Sequence, residues 1–388
     1  MRTIKGISKK YGVAFWVICF LMAGCAKPPE DDTETAEPET EAARYLYVAS
    51  GACYSGGGNT AFSNTTASNL IYRINLSTGV KSDVLADYNA SPSQAGDSPV
   101  GIVNADSDYI FALVENTTTV GARRIEKIAK SAAGARTLFS NNTTAMSAQL
   151  RSLHMLSNGD FLLSKSTALE KITSANVRLT KGANPYVSAP AAPCATSTTL
   201  MSKVLSLSNQ FIVFLHAATS QNRFGFVKPE GYAAGGDCTP AQAAPTAAAF
   251  PVAAVYDSEN SKLIVAYAGS ATTTDLNSIY SYNITETSTS VTVGTANKIY
   301  DASLYPGTYP YLLYGISEMA FDSETSSLYV ATAINTATTI ANYAIEKFTY
   351  DASKIGVTNS QVLTRVGTSP FFSFGSDTKC IADMMIAD

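Results

Sequence analysis

What this chain lacks narrows its identity first. Of its 388 residues two are histidine and one is tryptophan, and charged side chains make up 15%, against roughly 25% in an ordinary soluble domain. Little material is left for general acid–base chemistry. No Cys-x-x-Cys pair occurs, and both histidines, His154 and His216, lie inside apolar runs (SLHML and VFLHAAT), so a zinc site has no obvious ligand set. No Gly-x-Ser-x-Gly elbow supports a serine hydrolase of that class. The glycine-rich stretch Gly51 to Gly58 has no Lys-Ser/Thr after it and reads as a long turn, not a phosphate loop. Past residue 25 no segment approaches the ~20 continuous apolar residues of a membrane span. Residues 44–388 carry 22 basic and 24 acidic side chains with no basic cluster, so nucleic acid is not an expected partner.

What is present is sharply partitioned at the N-terminus. Arg2, Lys5, Lys9 and Lys10 precede the apolar run Val13 to Ala23, too short to span a bilayer and of the length of a secretory h-region. The run ends in Leu21-Met22-Ala23-Gly24-Cys25. That string resembles the lipobox of bacterial lipoproteins, with Met22 standing where Leu is commoner. The resemblance implies cleavage before Cys25, lipidation of Cys25 (palmitate among its acyl chains) and, with Ala26 rather than Asp next, sorting to the outer membrane. Residues 1–24 are then the signal peptide. Residues 25–43 hold seven acids and one base and almost no large apolar side chains; they are expected to be a disordered tether on the lipidated cysteine. The sequence leaves open which face of the membrane the chain occupies.

Six cysteines occur, of which Cys19 leaves with the leader and Cys25 carries lipid. Cys53, Cys194, Cys238 and Cys380 remain, an even number in an oxidising compartment, with three possible connectivities. Cys53–Cys380 and Cys194–Cys238 are the pairings the repeat favours.

That repeat occupies residues 44–388. Asp257-Ser-Glu-Asn-Ser-Lys-Leu-Ile-Val-Ala266 and Asp322-Ser-Glu-Thr-Ser-Ser-Leu-Tyr-Val-Ala331 match closely. Each joins two apolar strands through a polar hairpin turn. A third strand (Ile279 to Ile284; Tyr343 to Tyr350) and a fourth (Lys298 to Tyr300; Gln361 to Leu363) follow, which is the four-stranded pattern of a propeller blade. Weaker copies place the turn at Asp106, Ser157 and Ser208, with spacings of 51, 51, 49 and 65 residues through Asp257 and Asp322. The chain ends in a first-type strand, Ile381 to Ile386, and the domain begins with a second-type strand, Leu46-Tyr-Val-Ala49, identical to Leu328-Tyr-Val-Ala331. The expectation is an all-β, six-bladed β-propeller of four-stranded antiparallel blades. Blades begin near 44, 98, 148, 201, 250 and 314, and the C-terminal strand closes the ring on the first. A seven-bladed ring and a pair of β-sandwiches are the rival folds. If Ile386 and Leu46 pair as Phe321 and Leu328 do, Cys380 falls opposite residue 52, next to Cys53.

The repeats resemble six-bladed propellers of the broad NHL and sugar-lactonase-like type. Lactonase-like members hold a divalent cation in the central channel with Glu, Asn and Asp. Here that resemblance implies Glu318 and Asp383, which take the same place in adjacent units, with Asn104 as third candidate and Ca²⁺ as the cation its oxygen donors suit. Asn104 aligns at a different level. A separate cluster, Tyr305, Tyr309, Tyr311 and Tyr314, could form an aromatic binding face. The leading expectation is an envelope-anchored, non-enzymatic binding or scaffold module for a protein or glycan partner. A metal-assisted hydrolase and a component of an envelope assembly complex are the alternatives. Oligomeric state is not legible.

Overall fold

The computed structural model describes residues 43–54, 61–62, 69–90, 93–116, 118–131, 135–165, 168–180, 187–188, 201–208, 211–216, 223–228, 238–243, 245, 250–268, 278–300, 316–332, 344–368, 370–374 and 380–387. The leader, the tether with Cys25, Cys194 and the four tyrosines Tyr305 to Tyr314 lie outside them, as do the side chains of Cys53, Cys238 and His216.

Six antiparallel sheets form the blades of a propeller. Blade 1 runs from the axis outward as Ile381–Ala387, Tyr45–Ser50, Leu70–Asn75 and Lys81–Asp87. Blades 2 to 6 begin with the innermost strands Asp97–Asn104, Leu150–Met155, Met201–Ser206, Phe250–Asp257 and Ile316–Asp322, each followed outward by the next three strands in sequence. Each innermost strand packs beside those of its two neighbours, so the ring is closed. The closing strand pairs in the expected register, Leu46 opposite Ile386, matching Leu328 opposite Phe321 in blade 6. A bulge between Ala49 and Ser50 then shifts the ladder, so that Ser50 meets Ile381. Buried Cys380 precedes that pair and is engaged in a disulfide.

The apolar core is not one body. It consists of six clusters, each filling the seam between two consecutive blades. Successive residues of a strand point to opposite faces of its sheet. In blade 5, Leu263, Val265 and Tyr267 therefore pack against blade 4, while Ile264 and Ala266 pack against blade 6. A strand buried on both faces needs an unbroken apolar run, which explains Leu-Ile-Val-Ala-Tyr and Leu-Tyr-Val-Ala where an open sheet would alternate. Outer strands are wetter and less regular. The fourth strand of blade 5 spans Val291–Tyr300 with mixed exposure and is longer than its Lys298 to Tyr300 segment suggests. Blade 6 ends in Leu363–Arg365, beginning at the last residue of the expected segment.

In blades 2, 4, 5 and 6 the turn between first and second strands has a polar side chain at the marker position that accepts a backbone N–H; in blade 3 the neighbouring Asn158 accepts the Asp160 N–H instead. Asp106 accepts the N–H groups of Asp108 and Tyr109, and Asp257 that of Asn260. Ser208 accepts the N–H of Phe211, and Asp322 that of Glu324. Ser261 and Ser326 adopt the left-handed conformation at equivalent turn positions (φ 53° and 48°). The markers Asp106, Ser208, Asp257 and Asp322 are thus turn acceptors, of the residue types that hairpin geometry favours.

Candidate site in the central channel

A bulge recurs at the same point of every innermost strand. The register slips between Pro99 and Gly101, Leu150 and Ser152, Met201 and Lys203, Pro251 and Ala253, and Ile316 and Glu318, and beside Asp383 in the closing strand. A bulge inserts one residue and re-aims the side chain that follows. The residues that follow, Asp383, Gly101, Ser152, Lys203, Ala253 and Glu318 around the ring, form one layer across the channel.

Lys203, on blade 4, reaches across the axis to blades 6 and 1. Its ammonium pairs with Glu318 Oε2, lies 3.3 Å from Asp383 Oδ1, and donates to the backbone carbonyl of Ala382 at 2.6 Å. Asp383 Oδ2 accepts the Ile102 N–H at 2.7 Å and Oδ1 the Met384 N–H at 3.1 Å. Glu318 Oε1 accepts the Met319 N–H at 3.0 Å. Beside them, Ser152 Oγ accepts the Val204 N–H at 3.3 Å. Gly101 has no room for a side chain: a Cβ there would stand 2.7 Å from the Leu153 nitrogen.

Two carboxylates thus share one cation, with Glu318 buried and Lys203 and Asp383 largely so. Burial pushes the Glu318 carboxyl up to about 8, against the pull of Lys203, and raises Asp383 as well. Burial alone would lower the Lys203 ammonium, but Asp383 and Glu318 hold it above its ordinary value. At neutral pH the layer therefore keeps a charged lysine and one proton on the carboxylate pair.

Beyond this layer, toward the first turn of each blade, the channel opens into a cavity of about 430 Å³. Its walls include Val103, Met155, Leu205, Tyr256, Phe321 and Met385, with Asn104 and His154 also lining it. Burial holds the His154 imidazole down to about 4, so it is neutral.

The expected equivalence of Glu318 and Asp383 matches this geometry, since both follow the bulge and meet at one cation. Asn104 does not join them. It is exposed, at the other end of its strand, three residues past Gly101. A divalent cation does not fit the layer as built. Glu318 Oε2, Asp383 Oδ1 and Ala382 O are hard oxygen donors of the kind Ca²⁺ takes, but they converge on the Lys203 ammonium. Among the described residues no group of three or more His, Cys, Asp or Glu side chains is arranged to hold a metal ion. Sequence reasoning missed Lys203, although it lies 51 residues beyond Ser152 in the repeat.

The architecture is that of a six-bladed β-propeller. No family model and no curated protein sequence matches the chain. Solved structures do. A chain from the crystal structure of a nidogen/laminin complex superposes with a TM-score of 0.54 at 9% identity, over 89% of this chain and 99% of that one. Virginiamycin B lyase from Staphylococcus aureus superposes at 0.44 with 14% identity, over 83% and 87%. Regucalcin, a calcium-binding protein from Agrobacterium tumefaciens, does so at 0.41 with 12% identity, over 69% and 73%. At these identities the likeness concerns the fold alone.

Proposed function

We propose that the chain is an exported lipoprotein, anchored to the outer membrane through Cys25, whose propeller is a non-enzymatic binding or scaffold module for a protein or glycan partner. The observation that carries the non-enzymatic part is Lys203. It fills the point where Glu318 and Asp383 would otherwise present oxygen to a catalytic cation, so the hydrolase reading requires the protein to expel its own ammonium. The rest is supported by the lipobox and tether, and by six blade-to-blade cores that make the ring a rigid frame for its loops. The segment with Tyr305, Tyr309, Tyr311 and Tyr314, outside the described residues, supplies the binding face in this reading. Cys380 is paired with Cys53 in this reading, clasping the ring where Ser50 meets Ile381, and Cys194 with Cys238.

Crosslinking and pull-down of the lipidated protein from its native envelope test the function. Recovery of a specific partner, reduced by changing the tyrosines to alanine, is the expected result. Absence of any partner, together with hydrolysis of a lactone panel by the pure chain, overturns it. Radiolabelled palmitate should enter the wild type and not Cys25→Ser, and a non-reducing digest should yield a Cys53–Cys380 peptide pair.

A further inference from the structure

We infer that the cavity beyond the Lys203 layer is a binding site for an uncharged amphipathic molecule, one with an apolar face and a single edge of hydroxyl or carboxamide groups. Its volume, about 430 Å³, lies within the range of small-molecule sites, roughly 300–1,000 Å³. Its walls are built in rings, because the innermost strands carry their bulges at one level. Two residues past the layer, and hence on the same side of each strand, stand Met385, Val103, His154, Leu205, Val255 and Ala320, all lining the cavity. Val103, Leu205, Val255 and Met385 close the inner ends of the blade seams and stay half-exposed. One residue further out, Tyr256, Phe321 and Ile386 continue the apolar wall on blades 5, 6 and 1.

The polar groups gather on the wall across the axis, on blades 2 and 3. His154 is the one polar member of its ring, and its half-buried imidazole has no hydrogen-bond partner among the described residues. The Asn104 carboxamide at the rim of blade 2 has none there either. Ser152, beneath His154 on the same strand, takes the Val204 N–H on its oxygen and has no acceptor for its own proton among the described residues. A neutral imidazole carries one donor and one acceptor, and a carboxamide carries both kinds. A molecule that fills the cavity shuts water out of these groups and must bond them itself or bear the loss. Charge is not asked for. The floor sets one ammonium against two carboxylates that keep one proton, so its net charge is zero, and His154 is neutral. An ammonium or carboxylate head would leave water for a ring of apolar side chains that offers no counter-charge.

This site is independent of the partner reading, and its failure would leave the pull-down result untouched. The test uses the chain from residue 25 onward with Cys25→Ser, which needs no detergent, and three matched probes: 4-phenylbutanamide, 4-phenylbutylamine and 4-phenylbutyrate. Calorimetry should rank the carboxamide tightest, at least about tenfold above either charged analogue. His154→Leu should weaken the carboxamide about tenfold, and His154→Gln, which keeps a donor and an acceptor, should restore part of that. The chain has two histidines, so protein labelled with ¹⁵N-histidine gives two imidazole spectra, and the one lost in His154→Leu belongs to His154. The carboxamide should shift those ring nitrogens. A charged analogue that binds as tightly as the carboxamide overturns the inference, and so does an unchanged affinity in folded His154→Leu. So does a wild-type spectrum in which the His154 signals fail to move at the highest soluble carboxamide concentration, a result that needs no change to His154.

Discussion

The channel and the blade junctions both bury carboxylates beside cations, with opposite outcomes. In the channel, Glu318 and Asp383 divide one ammonium, and burial drives both upward. At the junction of blades 6 and 1, Asp322 takes guanidinium contacts from Arg44 at 2.8 and 3.1 Å, and exposed Glu324 takes a third at 3.0 Å. Asp322 also accepts the Thr325 hydroxyl at 2.6 Å and the Glu324 N–H at 3.2 Å. In blade 2, Asp97 accepts two Arg124 nitrogens at 2.7 and 3.0 Å, the Asn116 amide at 2.8 Å and the Gln94 N–H at 2.8 Å. Burial pushes these two upward as well, but their donors outweigh it and hold both below the usual carboxylate range. Donors and desolvation together decide the sign: Asp97 and Asp322 have enough donors to overcome burial, whereas Glu115, with Arg123 and the Leu150 N–H, is still raised by it.

The strongest way to break that comparison is to remove the shared cation. Lys203→Met should cost about 3–5 kcal/mol, because two carboxylates are left buried without a counter-charge. Adding Glu318→Gln and Asp383→Asn should restore much of it, as urea unfolding would show. Lys203→Ala sharpens the point. Its unfolding midpoint should rise in millimolar calcium, since three oxygen donors are freed, whereas the wild type should not respond. A calcium response of the wild type would make the channel a metal site and sink the comparison.

The next effect is a slope with pH. A carboxyl raised from its ordinary 4.5 to about 8 contributes stability that is complete below pH 4.5 and lost as pH rises through 8. His154 has the opposite sign. Lowered from 6.5 to about 4, it adds stability that is complete above pH 6.5 and fades below. Between about pH 6.5 and 8 His154 no longer contributes to the slope, the falling limb belongs to Glu318 with its partner Asp383, and the wild type should lose about 2 kcal/mol. Glu318→Gln should flatten that limb. Asp97 and Asp322, held low, act only at the acid end, where their contribution fades as pH falls below about 3.8. Asp322→Asn should cost less than the lysine change, about 1–3 kcal/mol, and should leave the slope above pH 6.5 intact.

Much of this frame was legible in the sequence, and the reason part of it was not is a single residue. Apolar runs, turn acceptors and the match of Leu46 to Leu328 gave the blades, the closure and its register. They also placed Glu318 and Asp383 together, four residues before the turn markers Asp322 and Ala387. In blades 2, 3 and 4 the first turn is one residue longer. Five residues separate Ser206 from Ile212 in their pairing, against four between Asp322 and Ser327. Lys203 consequently lies five residues before Ser208. Alignment on the turns sets it one position away from Glu318, and in a strand one position means the opposite face. The bulges themselves leave no mark in the apolar pattern. Fourth strands were least legible, because an outer strand has one covered face or none to impose a period.

Ser152→Ala is the smallest of these changes and the one that separates charge from layer geometry. Ser152 holds the same post-bulge position as Lys203, Glu318 and Asp383, and is itself buried. Yet it acts through one neutral bond, taking the Val204 N–H at 3.3 Å. Like the Asp383 bond to Ile102, it ties one blade to the next through the backbone beside the bulge. Losing it should cost about 1 kcal/mol, the usual net value of such a bond, with no change in pH slope or calcium response. If instead Ser152→Ala destabilised as much as Lys203→Met, the layer would owe its strength to the backbone ties between blades, and the shared ammonium would not be what sets the channel apart from the junctions.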